Sequence, residues 1–138
     1  MRVGKNRKME LIKHVPLFSK LSTKQLQEVA GVADEIDLPA GRALTKEGER
    51  GREFFVILEG TADVHQEGTR IRTMGEGDFL GEIALVTKLP RTATVTTTSP
   101  VRALVITDRD FSALLKHNPE IGQSILEALG ERLAPHLS

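Results

Sequence analysis

The alternation of apolar and polar positions divides the chain into three stretches. In the first, Ser22 and Gln25 stand three apart in a capping-box pattern, and Leu26, Val29, Ala30 and Ala33 follow at helical spacing on one face. Upstream, Leu11, Ile12 and Val15 predict a shorter helix that ends near Pro16. In the second stretch, residues 34–107, short apolar runs are separated by glycine turns. Phe54 to Leu58 is followed by Glu59-Gly60, Ala62 to Gln66 by Glu67-Gly68, and then comes Arg70 to Met74. Thr94 to Thr98 and Val101 to Thr107 continue the series around a turn at Ser99-Pro100. Many short strands at this spacing predict a sandwich or barrel. The third stretch is helical again. Asp108 is a suitable N-cap before Phe111, Leu114 and Leu115, and Asn118-Pro119 starts a second helix with proline where its missing N–H costs little. Ile121, Ile125, Leu129 and Leu133 form an apolar stripe at spacing four, suited to a core or a homodimer contact.

Composition narrows the function classes. The 138 residues suffice for one domain with a buried core. Nineteen basic residues balance nineteen acidic ones, which argues against a nucleic acid or membrane partner attracted by net charge. There is no cysteine, hence no disulfide frame and no thiolate metal site. The basic start, Met1 to Lys8, is not followed by an apolar signal core, and no apolar run reaches membrane-spanning length. A cytoplasmic protein is the expectation.

One segment breaks the strand pattern. Ile83-Ala84-Leu85-Val86 lies between Gly81 and Pro90 and is either a buried strand or a single helical turn. If residues 82–86 are helical, their first N–H groups and the helix dipole favour an anion. Arg91 follows closely, and its guanidinium can give two parallel hydrogen bonds to phosphate oxygens. An acid at an anion site, Glu82, makes sense as an acceptor for a sugar hydroxyl.

The run Leu80 to Val95, preceded by Gly75-Glu76-Gly77-Asp78-Phe79, resembles the phosphate-binding cassette of cyclic-nucleotide-binding domains. The matching residues are Gly81, Glu82, Ile83, Ala84, Leu85, Pro90, Arg91, Thr92 and Ala93, and Leu80 stands where the family usually has phenylalanine. Gly48 to Gly60 is similar to a strand pair of the same family, and with the flanking helices the resemblance runs from about Leu11 to about Leu133. It implies an α+β fold: an eight-stranded antiparallel β jelly roll, or double-stranded β-helix, with N-terminal helices, a short internal cassette helix and C-terminal lid helices. The expected layout is a single domain with a flexible basic tail at 1–8, helices at 9–33, the roll at 34–107 with its cassette at 75–94, and helices at 108–138.

The resemblance also implies roles. Arg91 pairs with the cyclic phosphate, Glu82 accepts from the ribose 2′-hydroxyl, and Gly81 lets the ribose approach the backbone. The amides of Ala84 and Thr92 and the Thr92 hydroxyl add contacts near the phosphate, beside Ile83 and Ala93. Arg132, with Leu129 and Leu133, would close over the purine, since the chain has neither tryptophan nor tyrosine to stack on it. In this family a threonine at the position of Thr92 can bond the amine of guanine or merely support the phosphate. One hydroxyl contributes about 0.5–1.5 kcal/mol, so cAMP is favoured over cGMP by a narrow margin.

The expected function is non-catalytic sensing of cAMP or cGMP, with no other cofactor, read out by a separate protein effector. Nucleotide-responsive transcription factors carry a helix-turn-helix after the long C-terminal helix, whereas this sequence stops at Ser138, so direct nucleic-acid binding is not expected. A regulatory fragment of such a factor or of a channel is the alternative. A cupin-type barrel enzyme is a more distant one. It would pair metal-binding histidines on neighbouring strands, and His14, His65, His117 and His136 show no such spacing.

Overall fold

The computed structural model describes residues 5–15, 18–80, 91, 93–124 and 126–127. They fall into two compact units, Ala33–Asp108 and the two flanking segments together.

The first unit is a β-roll of eight strands: β1 (Asp34–Leu38), β2 (Ala43–Thr45), β3 (Glu53–Glu59), β4 (Ala62–Gln66), β5 (Thr69–Met74), β6 (Phe79–Leu80), β7 (Thr94–Thr97) and β8 (Val101–Thr107). They form two four-stranded sheets, ordered β1-β8-β3-β6 and β2-β7-β4-β5, and every pairing is antiparallel. This is the jelly-roll order, in which consecutive strands, apart from the hairpin of β4 and β5, pass from sheet to sheet. The five strands legible as apolar runs are all present. β1, β2 and β6 carry no comparable run, being polar or as short as two residues.

The core follows from strand alternation. Phe55, Ile57, Leu80 and Val105 from one sheet meet Ala62, Val64, Met74 and Val95 from the other, with Ile36, Leu44 and Ala93 against them. The opposite face of β3 and β8 is buried as well, through Phe54, Val56, Leu104 and Ile106, and Phe54 stacks obliquely on Phe79 at 5.8 Å. This explains why β3 reads as an unbroken apolar run. Beside it, Arg102 of β8 bridges Glu35 (3.4 Å) and Asp37 (3.0 Å) of β1, and its hydrogen bond to Asp37 raises its pKa.

The hairpin between β4 and β5 turns on two residues, Glu67 (φ 50°) and Gly68 (φ 80°), both in the left-handed region that two-residue hairpins require.

The second unit is helical. α1 (Lys5–Lys13) begins inside the stretch expected as a basic tail, and Lys8 donates to the carbonyl of Ala30 (3.1 Å) near the end of α2 (Thr23–Val32). The capping box at the start of α2 is formed in both directions. The Ser22 N–H donates to Gln25 Oε1 (2.9 Å), and the Gln25 N–H donates to Ser22 Oγ (3.2 Å). α3 (Asp108–His117) buries Phe111 and Leu114, while Leu115 is only half-buried. Asn118 ends α3 and is buried. Its side-chain amide donates to Glu28 (2.7 Å) and to the Leu114 carbonyl (3.1 Å) before residues 119–124 resume a helix. Ile121 of the predicted stripe is buried, whereas Leu126 is exposed; Ile125, Leu129 and Leu133 lie outside the described residues.

Candidate ligand-binding site

Of the residues singled out in the sequence, Arg91 and Ala93 fall within the described structure. Gly81, Glu82, Ile83, Ala84 and Thr92, and the lid candidates Leu129, Arg132 and Leu133, lie outside it.

Arg91 is 9 % exposed, an unusual burial for an arginine. Its main chain is clamped by the loop between β2 and β3. The Gly48 N–H donates to the Arg91 carbonyl (2.9 Å), and the Arg91 N–H donates to the Glu49 carbonyl (2.7 Å). Two further bonds fasten the same loop to β7: Thr45 Oγ1 donates to the Ala93 carbonyl (3.1 Å), and the Glu47 N–H donates to Thr94 Oγ1 (2.9 Å). The Glu47 carboxylate also accepts from the Glu67 N–H at the hairpin tip (3.0 Å). Arg91 therefore projects from a fixed backbone, and its Nη2 donates to the Glu53 carbonyl at the start of β3. Ala93, two residues on, packs against the core between the sheets. The arrangement presents a preorganised cation at the interior of the roll, next to the run read as an anion cassette.

The approach to that run is also fixed. Asp78 Oδ2 accepts from the Gly75 N–H (2.8 Å), and the Asp78 N–H donates back to the Gly75 carbonyl (3.0 Å), closing a tight turn. The Gly77 N–H and the Ile57 carbonyl (2.7 Å), with the Ile57 N–H and the Asp78 carbonyl (2.8 Å), tie this turn to β3. It leads directly into Phe79 and Leu80, both buried.

A family model described as the cyclic nucleotide-binding domain matches residues 35–118. The chain belongs to that family. Among relatives of this cyclic nucleotide-binding domain, a cyclic nucleotide-gated potassium channel of Rhizobium etli is 35 % identical over 126 residues, covering 91 % of the chain and 35 % of the channel. A cAMP-dependent protein kinase regulatory subunit of Mycosarcoma maydis is 36 % identical over 110 residues, covering 73 % of the chain and 21 % of the subunit. The chain thus spans about a third or less of the length of these relatives. The solved structure of cAMP-bound PfPKA-R superposes with a TM-score of 0.83 at 25 % identity, over 95 % of the chain and 45 % of that structure.

One contributor to the setting of Arg91 left no signal in the sequence. The clamp on Arg91 is made by backbone groups of Gly48 and Glu49, so side-chain identity does not announce it. Arg72 lies opposite Val64 on the inner face of the roll and is half-buried. Among the described residues, no group of three or more His, Cys, Asp or Glu could hold a metal ion, and no helix is long and apolar enough to cross a membrane.

Proposed function

We propose that this domain binds a cyclic nucleoside monophosphate reversibly, catalyses nothing, and acts in the cytoplasm as the sensing part of a signalling protein. The observation that carries the reading is the buried, backbone-clamped Arg91 beside Ala93, at the end of the segment that resembles a phosphate-binding cassette. A guanidinium held in this way has lost little further freedom when it pairs with a phosphate, so more of the interaction survives as affinity. In this reading Arg91 holds the cyclic phosphate and Glu82 accepts from the ribose 2′-hydroxyl. Gly81, Ile83, Ala84, Thr92 and Ala93 line the sugar-phosphate.

Leu129, Arg132 and Leu133 would close over the base. A ligand favours that closed state only by binding it more tightly than the open one. The effector is a separate protein or another part of a longer polypeptide, consistent with the fraction of each relative that the chain covers. Names of the relatives support both cAMP and cGMP as ligand classes, since a cAMP-dependent kinase subunit and a cGMP-dependent protein kinase both match.

Calorimetric titration of the chain with cAMP and with cGMP tests the proposal. Saturable one-to-one binding of at least one nucleotide, weakened in Glu82→Ala, is expected. Absence of heat with both nucleotides, under conditions where the chain is folded by circular dichroism, overturns it.

A further inference from the structure

The balanced total charge hides an uneven distribution. The helical unit carries ten Lys and Arg against six Asp and Glu, whereas the β-roll carries nine against thirteen. The excess is concentrated at the start, where seven of the nineteen basic residues fall within the first 24 positions with Glu10 as the one acid. An anionic surface therefore attracts one unit and repels the other, although the whole chain is neutral.

Helix stability does not account for this block. Neither α1 nor α2 has an acid in its first turn, and Lys5 and Lys24 stand there instead, where the helix dipole disfavours a cation. Lys8 is engaged with the Ala30 carbonyl (3.1 Å) and Lys20 with Glu127 (3.4 Å). Lys13 and Lys24 are exposed and make no ion pair among the described residues. The Lys20 contact also locates Leu126. That residue precedes Glu127 in the chain and is 66 % exposed, an apolar side chain left in water beside the basic block.

We infer that the helical unit docks on an anionic phospholipid surface, with its lysines among the headgroup phosphates and Leu126 in the apolar layer beneath them. Five of the seven basic residues in the block are lysines. These are compact point charges without the planar fork that reads a fixed pair of acceptors, and they suit a field of mobile phosphates. A single-stranded nucleic acid is gripped through rings stacked on its bases, but the chain has no Trp or Tyr and all five phenylalanines are buried. An exposed leucine beside lysines gains from lipid and gains nothing from a sugar-phosphate backbone. None of this uses the nucleotide reading, and it holds for a chain that binds no nucleotide.

Co-sedimentation with phospholipid vesicles tests the inference on the whole chain without nucleotide. Vesicles in which roughly a third of the lipid is phosphatidylglycerol should carry the chain down, and vesicles of phosphatidylcholine alone should not. Raising sodium chloride from about 0.1 M to about 0.5 M should release it. Lys13→Gln combined with Lys24→Gln should weaken the partition roughly tenfold or more, at about fivefold per charge, while Lys13→Arg combined with Lys24→Arg keeps it. Leu126→Ala leaves every charge in place and should weaken it roughly three- to tenfold. Circular dichroism checks that each variant is folded. Equal sedimentation with both kinds of vesicle, or none with the anionic kind at low salt, overturns the inference. Binding to a short DNA duplex in place of the anionic vesicles would assign the block to nucleic acid instead. A loss shared by the arginine pair would place the two lysines in the fold rather than on a charged surface.

Discussion

The guanidinium of Arg91 donates through Nη2 to the main-chain carbonyl of Glu53, joining the end of the cassette run to the first residue of β3. That bond dictates which substitution can test the phosphate contact. In Arg91→Glu a carboxylate would face a carbonyl, two acceptors with no proton between them, in a buried place. The variant would lose stability as well as ligand. Arg91→Gln keeps a donor for Glu53 and removes the charge. It should lower cyclic nucleotide affinity by roughly ten- to hundredfold, the range of a charge-assisted hydrogen bond. Thermal denaturation without ligand should change by only a few degrees. Retained affinity in titration calorimetry would show that Arg91 serves the fold alone.

The strands were legible in the sequence where one or both faces are buried and the apolar side chains stand in series, as in β3 and β8. β6 was illegible because two residues hold no period, and β1 because its acidic residues answer Arg102 across the strand pair. In the candidate site, Arg91 could be read from its neighbours in the cassette run. The place of Arg72 on the inner face of the roll could not. Period-two alternation assigns it the same face as Arg70, and only the bulge at Ile71 sends the two apart. A bulge is set by how two strands register, which no local run of residues reports.

Thr97 offers a test of the turn between β1 and β2. Its hydroxyl donates to the Pro39 carbonyl (2.8 Å) and accepts from the Arg42 N–H (2.9 Å), and the residue is 2 % exposed. Thr97→Val preserves shape but leaves two backbone groups without a partner. The expected loss is about 2 kcal/mol of stability, read in urea denaturation, with the slope unchanged. A loss under about 0.5 kcal/mol would mean that water replaces the hydroxyl.

Gly60 tests the close approach of two loops. Its φ is +99°, and a Cβ there would lie 2.3 Å from the Pro100 carbonyl oxygen and 2.9 Å from Val101 Cγ2. The first neighbour is backbone and cannot rotate away. Gly60→Ala should therefore destabilise the roll by about 2 kcal/mol or more, combining left-handed strain with the clash. The readout is the midpoint of thermal unfolding, and an unchanged midpoint would require the loop carrying Ser99 and Pro100 to move at no cost.

Glu67 predicts a change in the opposite direction. It holds φ at 50° in the hairpin between β4 and β5, a conformation that disfavours most L-residues and that asparagine tolerates. Its main-chain N–H, not its side chain, is the group that reaches the Glu47 carboxylate, so substitution leaves that bond in place. Glu67→Asn should stabilise the chain by about 0.5–1 kcal/mol through the turn alone. Glu47→Ala, by contrast, removes the acceptor and frees the hairpin from the loop that clamps Arg91. Combined in one chain, the two changes should add, because the asparagine acts through backbone preference and Glu47 through its carboxylate. Chemical denaturation of the two single variants and the double variant measures this, and a stabilisation by Glu67→Asn that vanishes without Glu47 would show that the turn is held by the carboxylate rather than by its own residues.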